Sequence, residues 1–483
     1  MKRYGRFALT TGVMAAALLL GVAPASAQSM TEALASAYAT NPALAADIAN
    51  LKATNEGVAQ ALSGYRPTIT AQGSIQSDFT NTQQDGVATG TPLQQRSLGA
   101  RQGPTDGNWH EVNPATLGIT ITQPIYSGGR TEAAVNQAEN VVQATRAVVQ
   151  TTEQTVLLDA ATAYADVVRA QANVELTRNN EAFQRRNLQA QQDRFNVGEV
   201  TRTDVSQSEA ALASATAQRV EAEGGLRTVR ATFEQIVGQP PGTLETPVVP
   251  GGLPRTMQEA IQQAQANNPA VVTALFSERA AADNIDLQFG ALLPSLTLQA
   301  RLQRQYSTVS SPSTSSPSAQ TRIDSAAIVA NLTIPLYSAG NQESLVRQAR
   351  YTHGQRRIQI EQQRRGAIQG AVQAWELLVT ARSSIKSYQA AVKAGQLAVE
   401  GVQQEALVGS RTVLDVLDEQ QKLLSSQVNL VQARRNEVVA GYQILSAVGR
   451  LTARDMALPV KVYDPEPDYQ RTRGRWIGTS IDE

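Results

Sequence analysis

The chain contains one unit twice, and this duplication restricts the possible folds more than any other feature of the sequence. In the first part the matching residues lie 227 apart, as in Asn41–Ala43 and Asn268–Ala270. Later they lie 211 apart, as in Pro124–Gly129 and Pro335–Gly340. The offset changes once, between residues 80 and 115, so one loop carries the difference in length. A register held over this length predicts two equivalent halves.

Each half predicts the same order of elements: two short helices, two strands joined by a loop, a very long helix, a turn and a second long helix. The predicted domains are a signal peptide at 1–27, repeat 1 at 28–238, a Pro/Gly-rich linker at 239–256, repeat 2 at 257–449 and a polar tail at 450–483, ordered only in its first part. Repeat 1 is predicted to contain helices 31–40 and 43–64, strands 68–79 and 116–125, and long helices 129–195 and 203–237. Repeat 2 is predicted to contain helices 257–267 and 270–291, strands 295–306 and 326–335, and long helices 340–407 and 412–449.

The strands alternate apolar and polar residues, as in Leu296 and Leu298 against Thr297 and Gln299. Alternation fits a half-buried soluble sheet, but segments of about 10 residues with this pattern are also typical of outer-membrane β-barrels. The connecting loops at 81–114 and 307–325 are polar and suit an exterior. Four strands cannot close a barrel, and an open edge is not tolerated in lipid. Of the small oligomers, only a trimer, with about twelve strands, leaves an open lumen.

The long helical tracts contain few breakers. Between residues 129 and 195 there is no proline and no internal glycine, so the helix would extend roughly 100 Å. Its apolar residues, such as Val156, Ala160 and Ala163, recur at spacings of three and four and predict a seam against a neighbouring helix. A filamentous coiled coil or a solenoid, acting as a structural or adhesive surface protein, would also use such helices. That alternative leaves the four strands without a purpose.

The first 27 residues have the pattern of a secretory signal peptide. Lys2, Arg3 and Arg6 precede an apolar core at Ala8–Leu20, and Ala25–Ala27 has the small residues of a cleavage site. We therefore expect the chain to be exported, and the strand pattern above then favours the outer membrane. No cysteine follows the cleavage site or occurs anywhere else, which excludes a thiol-linked lipid anchor, disulfides and thiolate chemistry.

Composition gives no sign of catalysis or of nucleic-acid binding. The formal net charge is zero and basic residues are scattered among acidic ones, so we expect no nucleic-acid partner. His110 and His353 are the only histidines and lie in different kinds of segment. We expect no catalytic residues, no metal site and no cofactor, and the chain is predicted not to be an enzyme.

The two helix-to-helix turns are the candidate functional site. Gly198 and Gly409 stand at their centres, and each is followed by a Thr-x-x-Asp capping box, at Thr201–Asp204 and Thr412–Asp415. A structural cap accounts for Asp204 and can account for Asp415.

The repeats differ at two charged positions of this turn. Arg411 and Asp418 of repeat 2 correspond to Val200 and Gln207 of repeat 1. A cap needs neither charge. In a trimer, Asp415 and Asp418 would form a ring of six carboxylates that favours cations and raises its own pKa values by mutual repulsion. Arg411 would bridge to an acid of the first turn, with Asp204 as the candidate.

Four segments resemble the TolC-like outer-membrane efflux and type I secretion channel family: Gln123–Arg130, Arg194–Gly198, Thr203–Val205 and Gly409–Asp418. The resemblance covers essentially the whole mature chain. It implies a mainly α fold with β structure, in which a homotrimer forms a 12-stranded outer-membrane barrel continued by a long periplasmic helical barrel. The tunnel would be closed at its tip until an inner-membrane pump, an ABC exporter or another transporter, docks through a periplasmic adaptor protein.

The resemblance also implies roles for single residues. Asp415 and Asp418 become the selectivity ring of the gate, and the latch comprises Arg411, Asp204, Thr203 and Asn187. Ala406 stands where the family has a tyrosine, so one latch contact is missing. Two cargoes stay open, a secreted protein or small molecules in multidrug efflux. The expected partners are two further copies of the chain, the adaptor, the pump, the cargo and outer-membrane lipid.

Overall fold

The computed structural model describes residues 28–82, 108–310 and 319–481. The predicted signal peptide and its cleavage site lie outside them. The described chain is mainly helical, with one antiparallel sheet. Its elements are α1 (Met30–Thr40), α2 (Pro42–Leu62), β1 (Thr68–Ile75), β2 (Asp78–Thr82), β3 (Asn108–Tyr126), α3 (Arg130–Asn196), α4 (Arg202–Val237), α5 (Met257–Asn267), α6 (Pro269–Gly290), β4 (Ser295–Ser310), β5 (Ala319–Thr333), α7 (Asn341–Leu407), α8 (Val413–Ala447) and α9 (Pro465–Gly474).

The helix bounds follow local signals. Each predicted helix has a counterpart whose ends differ from the prediction by at most two residues. Ser29 begins α1 with a capping box to Glu32, and Asn268 caps α6 ahead of Pro269. Such caps satisfy the first amide groups of a helix from within a few residues of sequence, which is why the sequence reveals them.

The strands differ more from their predicted bounds. β3 begins at Asn108 rather than at residue 116, and β5 begins at Ala319 rather than at residue 326. The first predicted strand, 68–79, is broken into β1 and β2, which both pair with β3. The segments 108–115 and 319–325, predicted as loop, belong to the ladder because backbone hydrogen bonds continue where the apolar alternation has already ended.

Contact density divides the chain into two compact units, and each unit takes segments from both repeats. The first, the helical unit, comprises the described part of Met1–Pro42 together with Glu153–Ala260 and Ala371–Lys461. The second, the sheet unit, comprises Ala43–Thr152, Ile261–Gly370 and the described part of Val462–Glu483. The repeats are therefore units of sequence, and the compact units are built by pairing their equivalent segments.

In the helical unit, small apolar residues form the core. The predicted seam residues Val156, Ala160 and Ala163 are all buried. Tyr164 is fully buried against Phe233, and its hydroxyl donates to the carbonyl oxygens of Gln28 (2.7 Å) and Glu245 (3.0 Å). The segment at Gln28 and the linker are thus held on α3 by one side chain.

A charged pair joins α3 to α8 in the same unit. The guanidinium of Arg435 donates two hydrogen bonds to the carboxylate of Asp166, at 3.0 Å and 2.9 Å, and Arg169 approaches the same carboxylate at 3.3 Å. A bidentate pair of this kind fixes the relative rotation of two helices as well as their distance.

In the sheet unit, the strands run in the order β1–β3–β4–β5, all antiparallel. The tail contributes α9, whose Tyr469 packs with Leu51, Val58 and Val142. The tail is therefore structured beyond the first part that the sequence predicts. None of the described helices is long and apolar enough to cross a membrane.

Candidate functional site: the paired hairpin turns

The α3–α4 and α7–α8 turns have the same backbone. In the first, the amide of Gly198 donates to the carbonyl of Phe195 and that of Glu199 to Arg194. In the second, Gly409 donates to Ala406 and Ser410 to Glu405. Both are Schellman motifs, in which the glycine takes a left-handed conformation, here with φ of +80° at Gly198 and +78° at Gly409. The predicted turn glycines are thus required by the backbone angle.

The capping boxes are also equivalent. The backbone N–H and the hydroxyl of Thr201 donate to Asp204 at 2.8 and 2.7 Å, and those of Thr412 donate to Asp415 at 2.9 and 2.8 Å. These hydrogen bonds lower the pKa of each carboxylate, with a further contribution from Arg194 near Asp204 and from Arg411 near Asp415. In the single chain both acids are therefore held ionised by their caps. The predicted mutual repulsion concerns three chains together and stays a prediction.

The charges around the two turns are reversed. In the first turn the base comes before the glycine: Arg194 bonds to Glu199 at 2.8 Å. In the second the acid comes before it: Arg411 bonds to Glu405 at 3.0 Å. The partner of Arg411 within its own chain is thus Glu405 and not Asp204. This pair was not predicted from the sequence, although Glu405 lies in the last turn of α7, only six residues before Arg411.

The remaining predicted gate residues lie open on the same hairpins. Asp418 is exposed, one helical turn beyond Asp415, and forms no hydrogen bond or ion pair with any described residue. Thr203 is exposed beside Asp204. The isolated carboxylate of Asp418 contrasts with that of Asp415, which is committed to its cap.

A cleft of about 660 Å³ brings the two turns together within the helical unit. The predicted latch residues Asn187, Asp204 and Arg411 line it, and so does Ala406, which stands where the family has a tyrosine. Gly409 lines it too, whereas Asp415, Asp418, Thr203 and Gly198 do not. Three of the four latch residues, Asn187, Asp204 and Arg411, are therefore neighbours on one concave surface, while Thr203 and the two ring carboxylates lie outside it.

The α3 side of the cleft carries buried polar groups. The Nδ2 atom of Asn187 and the Oε1 atom of Gln191 are buried without a hydrogen-bond partner among the described residues, and Gln184, one turn back, is in the same condition. Unpaired buried amides are costly.

A second charged cluster joins α3 to α4 away from the turn, and it was not predicted from the sequence. Glu181 of α3 is 10% exposed and accepts from Arg219 of α4 at 2.6 Å, from Arg185 at 3.0 Å and from Thr216 at 3.1 Å. Arg219 also bonds to Glu223 at 3.0 Å. Burial pushes the pKa of Glu181 upward, but the hydrogen bonds from Thr216 and Arg219, with the neighbouring positive charges, hold it below its usual value.

The cluster has no counterpart in the second hairpin. The residues of repeat 2 that correspond to Glu181 and Arg219 are Val392 and Leu430. The signal that could have revealed it is the same repeat comparison that singled out Arg411 and Asp418, applied to the helices as well as to the turns.

Comparison with known proteins assigns the chain to a family. The family model described as outer membrane efflux protein matches residues 33–239 and 260–450. The outer membrane efflux protein BepC of Brucella suis biovar 1 is 32% identical over 481 residues, which is 99% of this chain and 98% of that protein. The chain belongs to the outer membrane efflux protein family.

Two further similarities support the same fold. The outer membrane protein TolC of Vibrio cholerae is 30% identical over 276 residues, covering 56% of this chain and 62% of that protein. The crystal structure of VceC from Vibrio cholerae is 20% identical, with a TM-score of 0.71, over 87% of this chain and 96% of that one. The predicted TolC-like fold is confirmed: the chain is mainly helical with some sheet, and the family model matches it in two successive parts, as two internal repeats require.

Membership of the family also fixes the general function. The protein is an outer-membrane exit duct for efflux or secretion, and it is not an enzyme. Within the described part of the chain, no group of three or more acidic or histidine side chains is placed to hold a metal ion.

Proposed function

We propose that the chain is the passive exit duct of a tripartite export system, gated at its periplasmic tip by the paired hairpin turns. The gate has two parts: a ring formed by Asp415 and Asp418, and a latch formed by Arg411, Asp204, Thr203 and Asn187. Opening follows when an inner-membrane pump docks through a periplasmic adaptor protein. The sequence has no GxxxxGK[ST] phosphate-binding motif, so the energy has to come from the pump.

The observation that carries this proposal is the difference between two otherwise equivalent turns. Both turns have the same Schellman bonds and the same capping box. Only the second adds Asp418, whose carboxylate has no described partner, and Arg411, whose partner Glu405 is 52% exposed. A pair that is this exposed contributes about 0–1 kcal/mol to stability. Arg411 can therefore exchange Glu405 for another acid at low cost.

The latch is supported by the cleft. Arg411 and Asp204 line one surface, together with the unsatisfied amide of Asn187. In a trimer the same surface meets a neighbouring chain, and an exchange of Arg411 from Glu405 to an acid such as Asp204 would join two hairpins. Because Ala406 has no polar group, the latch depends on Arg411 more than on any other side chain.

The cargo is proposed to include small molecules. The support is the match, over nearly the whole length of both chains, with a protein named as an efflux protein. Type I secretion of a protein through the same duct, driven by an ABC exporter, is the second use. A strain lacking the gene should become more sensitive to drugs and dyes. Loss of a secreted protein without any change in sensitivity would overturn the efflux assignment.

Conductance tests the duct itself. Purified trimers in a planar bilayer should show small, cation-selective currents, which Arg411→Ser should increase because the latch is loosened. The absence of any conductance in correctly assembled trimers would favour the alternative, a structural or adhesive surface protein. The matched control is Arg194→Ser, which removes the corresponding turn pair of the first hairpin and should increase the current less.

Cross-linking tests the latch directly, since the chain has no native cysteine. In an Arg411→Cys/Asp204→Cys variant, a disulfide between chains would appear as covalent dimers and trimers under denaturing, non-reducing conditions. A bond within one chain would leave monomers. We expect covalent oligomers and a current that rises on reduction; monomers alone would refute the inter-subunit latch.

A further inference from the structure

The apolar face of the sheet ends in a rank of charged residues. Side chains that are cross-strand partners lie on the same face of a sheet. We call a rank the four residues, one each from β1, β3, β4 and β5, that are partners across the sheet. Going toward the connecting loops, the first two ranks are Ile69, Ile121, Ala300 and Ile328, and then Ala71, Ile119, Leu302 and Ala326. The third is Gly73, Leu117, Arg304 and Asp324, and the fourth is Ile75, Ala115, Tyr306 and Arg322.

The first two ranks have the character of a lipid-facing surface. Ile69 is 68% exposed, Leu302 60% and Ile328 78%. The opposite face carries threonine, glutamine and serine on β1 and β4. In an outer-membrane barrel the apolar face points outward into the bilayer. Arg304, Asp324 and Arg322 therefore lie on the lipid-facing side of the barrel, next to apolar residues.

The three charged side chains form one cluster. The guanidinium of Arg304 donates to Asp324 Oδ1 at 2.6 Å, and that of Arg322 donates to Asp324 Oδ2 at 2.6 Å and 3.0 Å. All three side chains are about half exposed. Asp324 neutralises one of the two arginines, so the cluster keeps a net positive charge and several unused N–H donors.

The height of the cluster corresponds to the outer edge of the bilayer. On the apolar face, the first partners of the β4–β5 ladder on the side of the helices are Leu296 and Leu332, and Arg304 lies eight residues further on. Eight residues rise about 27 Å along a strand, or about 20 Å along the normal at the usual tilt. Tyr306 follows in the next rank, and Tyr126 pairs with Leu296 at the other end. Aromatic residues flank the apolar band of such barrels in this way.

We propose that Arg304 and Arg322 bind the phosphate group of a lipid in the outer leaflet, with Asp324 holding the two guanidiniums in position. Arginine binds phosphate through two parallel N–H···O bonds, and a cluster with net positive charge at headgroup height is complementary to that anion. The site is continuous with the lipid-facing band of the barrel. The inference depends on the barrel fold alone and is independent of how the duct is gated.

The test uses purified trimers and lipid A, a phosphorylated glucosamine lipid, against dephosphorylated lipid A with the same acyl chains. Native mass spectrometry of trimers from mixed micelles counts the lipids that remain bound. We expect the wild type to retain the phosphorylated form roughly fivefold to tenfold better, as for charge-assisted hydrogen bonds at a half-exposed site. Equal retention of the two forms by the wild type refutes the proposal without any variant.

Two variants locate the site. Arg304→Gln/Arg322→Gln/Asp324→Asn removes all three charges and leaves none unpaired, and it should abolish the preference. Arg301→Gln is the matched control, because Arg301 lies on the same strand but faces Thr120 and Ala327 on the polar side. It should retain the full preference. A preference that survives in the triple variant, or that is lost in Arg301→Gln, would place phosphate binding elsewhere.

Discussion

Glu181 is the side chain whose removal should most loosen the first hairpin. It is nearly buried between α3 and α4, and its carboxylate accepts from Arg219 at 2.6 Å and from Thr216 at 3.1 Å. The third donor, Arg185, is 68% exposed and contributes little. In Glu181→Gln the amide keeps the shape and one acceptor, but the bond from Arg219 no longer joins two opposite charges.

The size of the effect follows from these contacts. A hydrogen bond to a charged group contributes about 1.5–3 kcal/mol, roughly twice the value of a neutral one. Arg219 keeps its second partner, Glu223, so its own charge is not left unpaired. Because a weaker bond remains in the variant, we expect Glu181→Gln to lower the free energy of local opening of the hairpin by about 1–1.5 kcal/mol.

Hydrogen–deuterium exchange of assembled trimers measures this opening. A loss of about 1–1.5 kcal/mol should speed exchange of the amides around Glu181 and Arg219 by roughly 5- to 12-fold. Exchange at the equivalent level of α7 and α8 should not change, because Val392 and Leu430 stand there. Arg185→Gln is the control and should speed exchange less than about threefold.

The effect should depend on pH in one direction. The pKa of folded Glu181 lies below its usual value of 4.5, so its ionised form is favoured in the folded state. Its stabilisation is complete at pH values above 4.5 and is lost as the pH falls through the folded pKa. The wild type and Glu181→Gln should therefore converge in acid. A difference that persists or grows as the pH falls, or an effect of Arg185→Gln as large as that of Glu181→Gln, would refute the ionic explanation.

Three further predictions concern the turns and the helix entries. Asp415→Asn/Asp418→Asn should reduce cation selectivity and weaken block by multivalent cations in planar bilayers, whereas Glu199→Gln, which removes an exposed acid of the first turn, should not. Unchanged selectivity in the double variant would refute the ring. Gly409→Ala should destabilise the second turn by about 1 kcal/mol, because its φ is +78°; thermal unfolding followed by circular dichroism checks this, and an unchanged transition would contradict it. Ala339→Gly should stabilise the entry of α7 by about 1 kcal/mol, because Ala339 has a φ of +53°; faster exchange at the start of α7 would count against this.

The sequence predicts what short segments determine by themselves. Thr201 and Thr412 reveal the starts of α4 and α8 because each is bonded to an acid three residues later. The pairing of Arg411 with Glu405 was not predicted. The sequence offers acids before and after Arg411, and it does not show which of them the guanidinium contacts. The extension of β3 back to Asn108 was not predicted either, because ladder hydrogen bonds leave no pattern in polar side chains.

The compact units depend on contacts that no local pattern shows. The repeat comparison gives two halves, whereas the fold pairs equivalent pieces of both halves, so that Asp166 of repeat 1 meets Arg435 of repeat 2. Only a contact between distant segments reveals such a pairing. The same holds for the cleft, which the sequence implies only through the roles that the family assigns to Arg411 and Asp204.

The way in which the two hairpins diverge supports a division of tasks between them. Their backbones need the same glycine, the same cap and the same helix spacing, so these features are shared. Charged side chains are not needed for the backbone, and in these they differ. The first hairpin has, besides the pair at its turn, a charged cluster between its own helices, around Glu181. The second has apolar residues at that level and exposes its charges at the tip, in Arg411 and Asp418. Charges that are satisfied internally stabilise one arrangement of helices, whereas exposed charges are available to a neighbouring chain or to a passing ion. We therefore expect the first hairpin to be the fixed element of the tip and the second to be the one that engages and releases its neighbour.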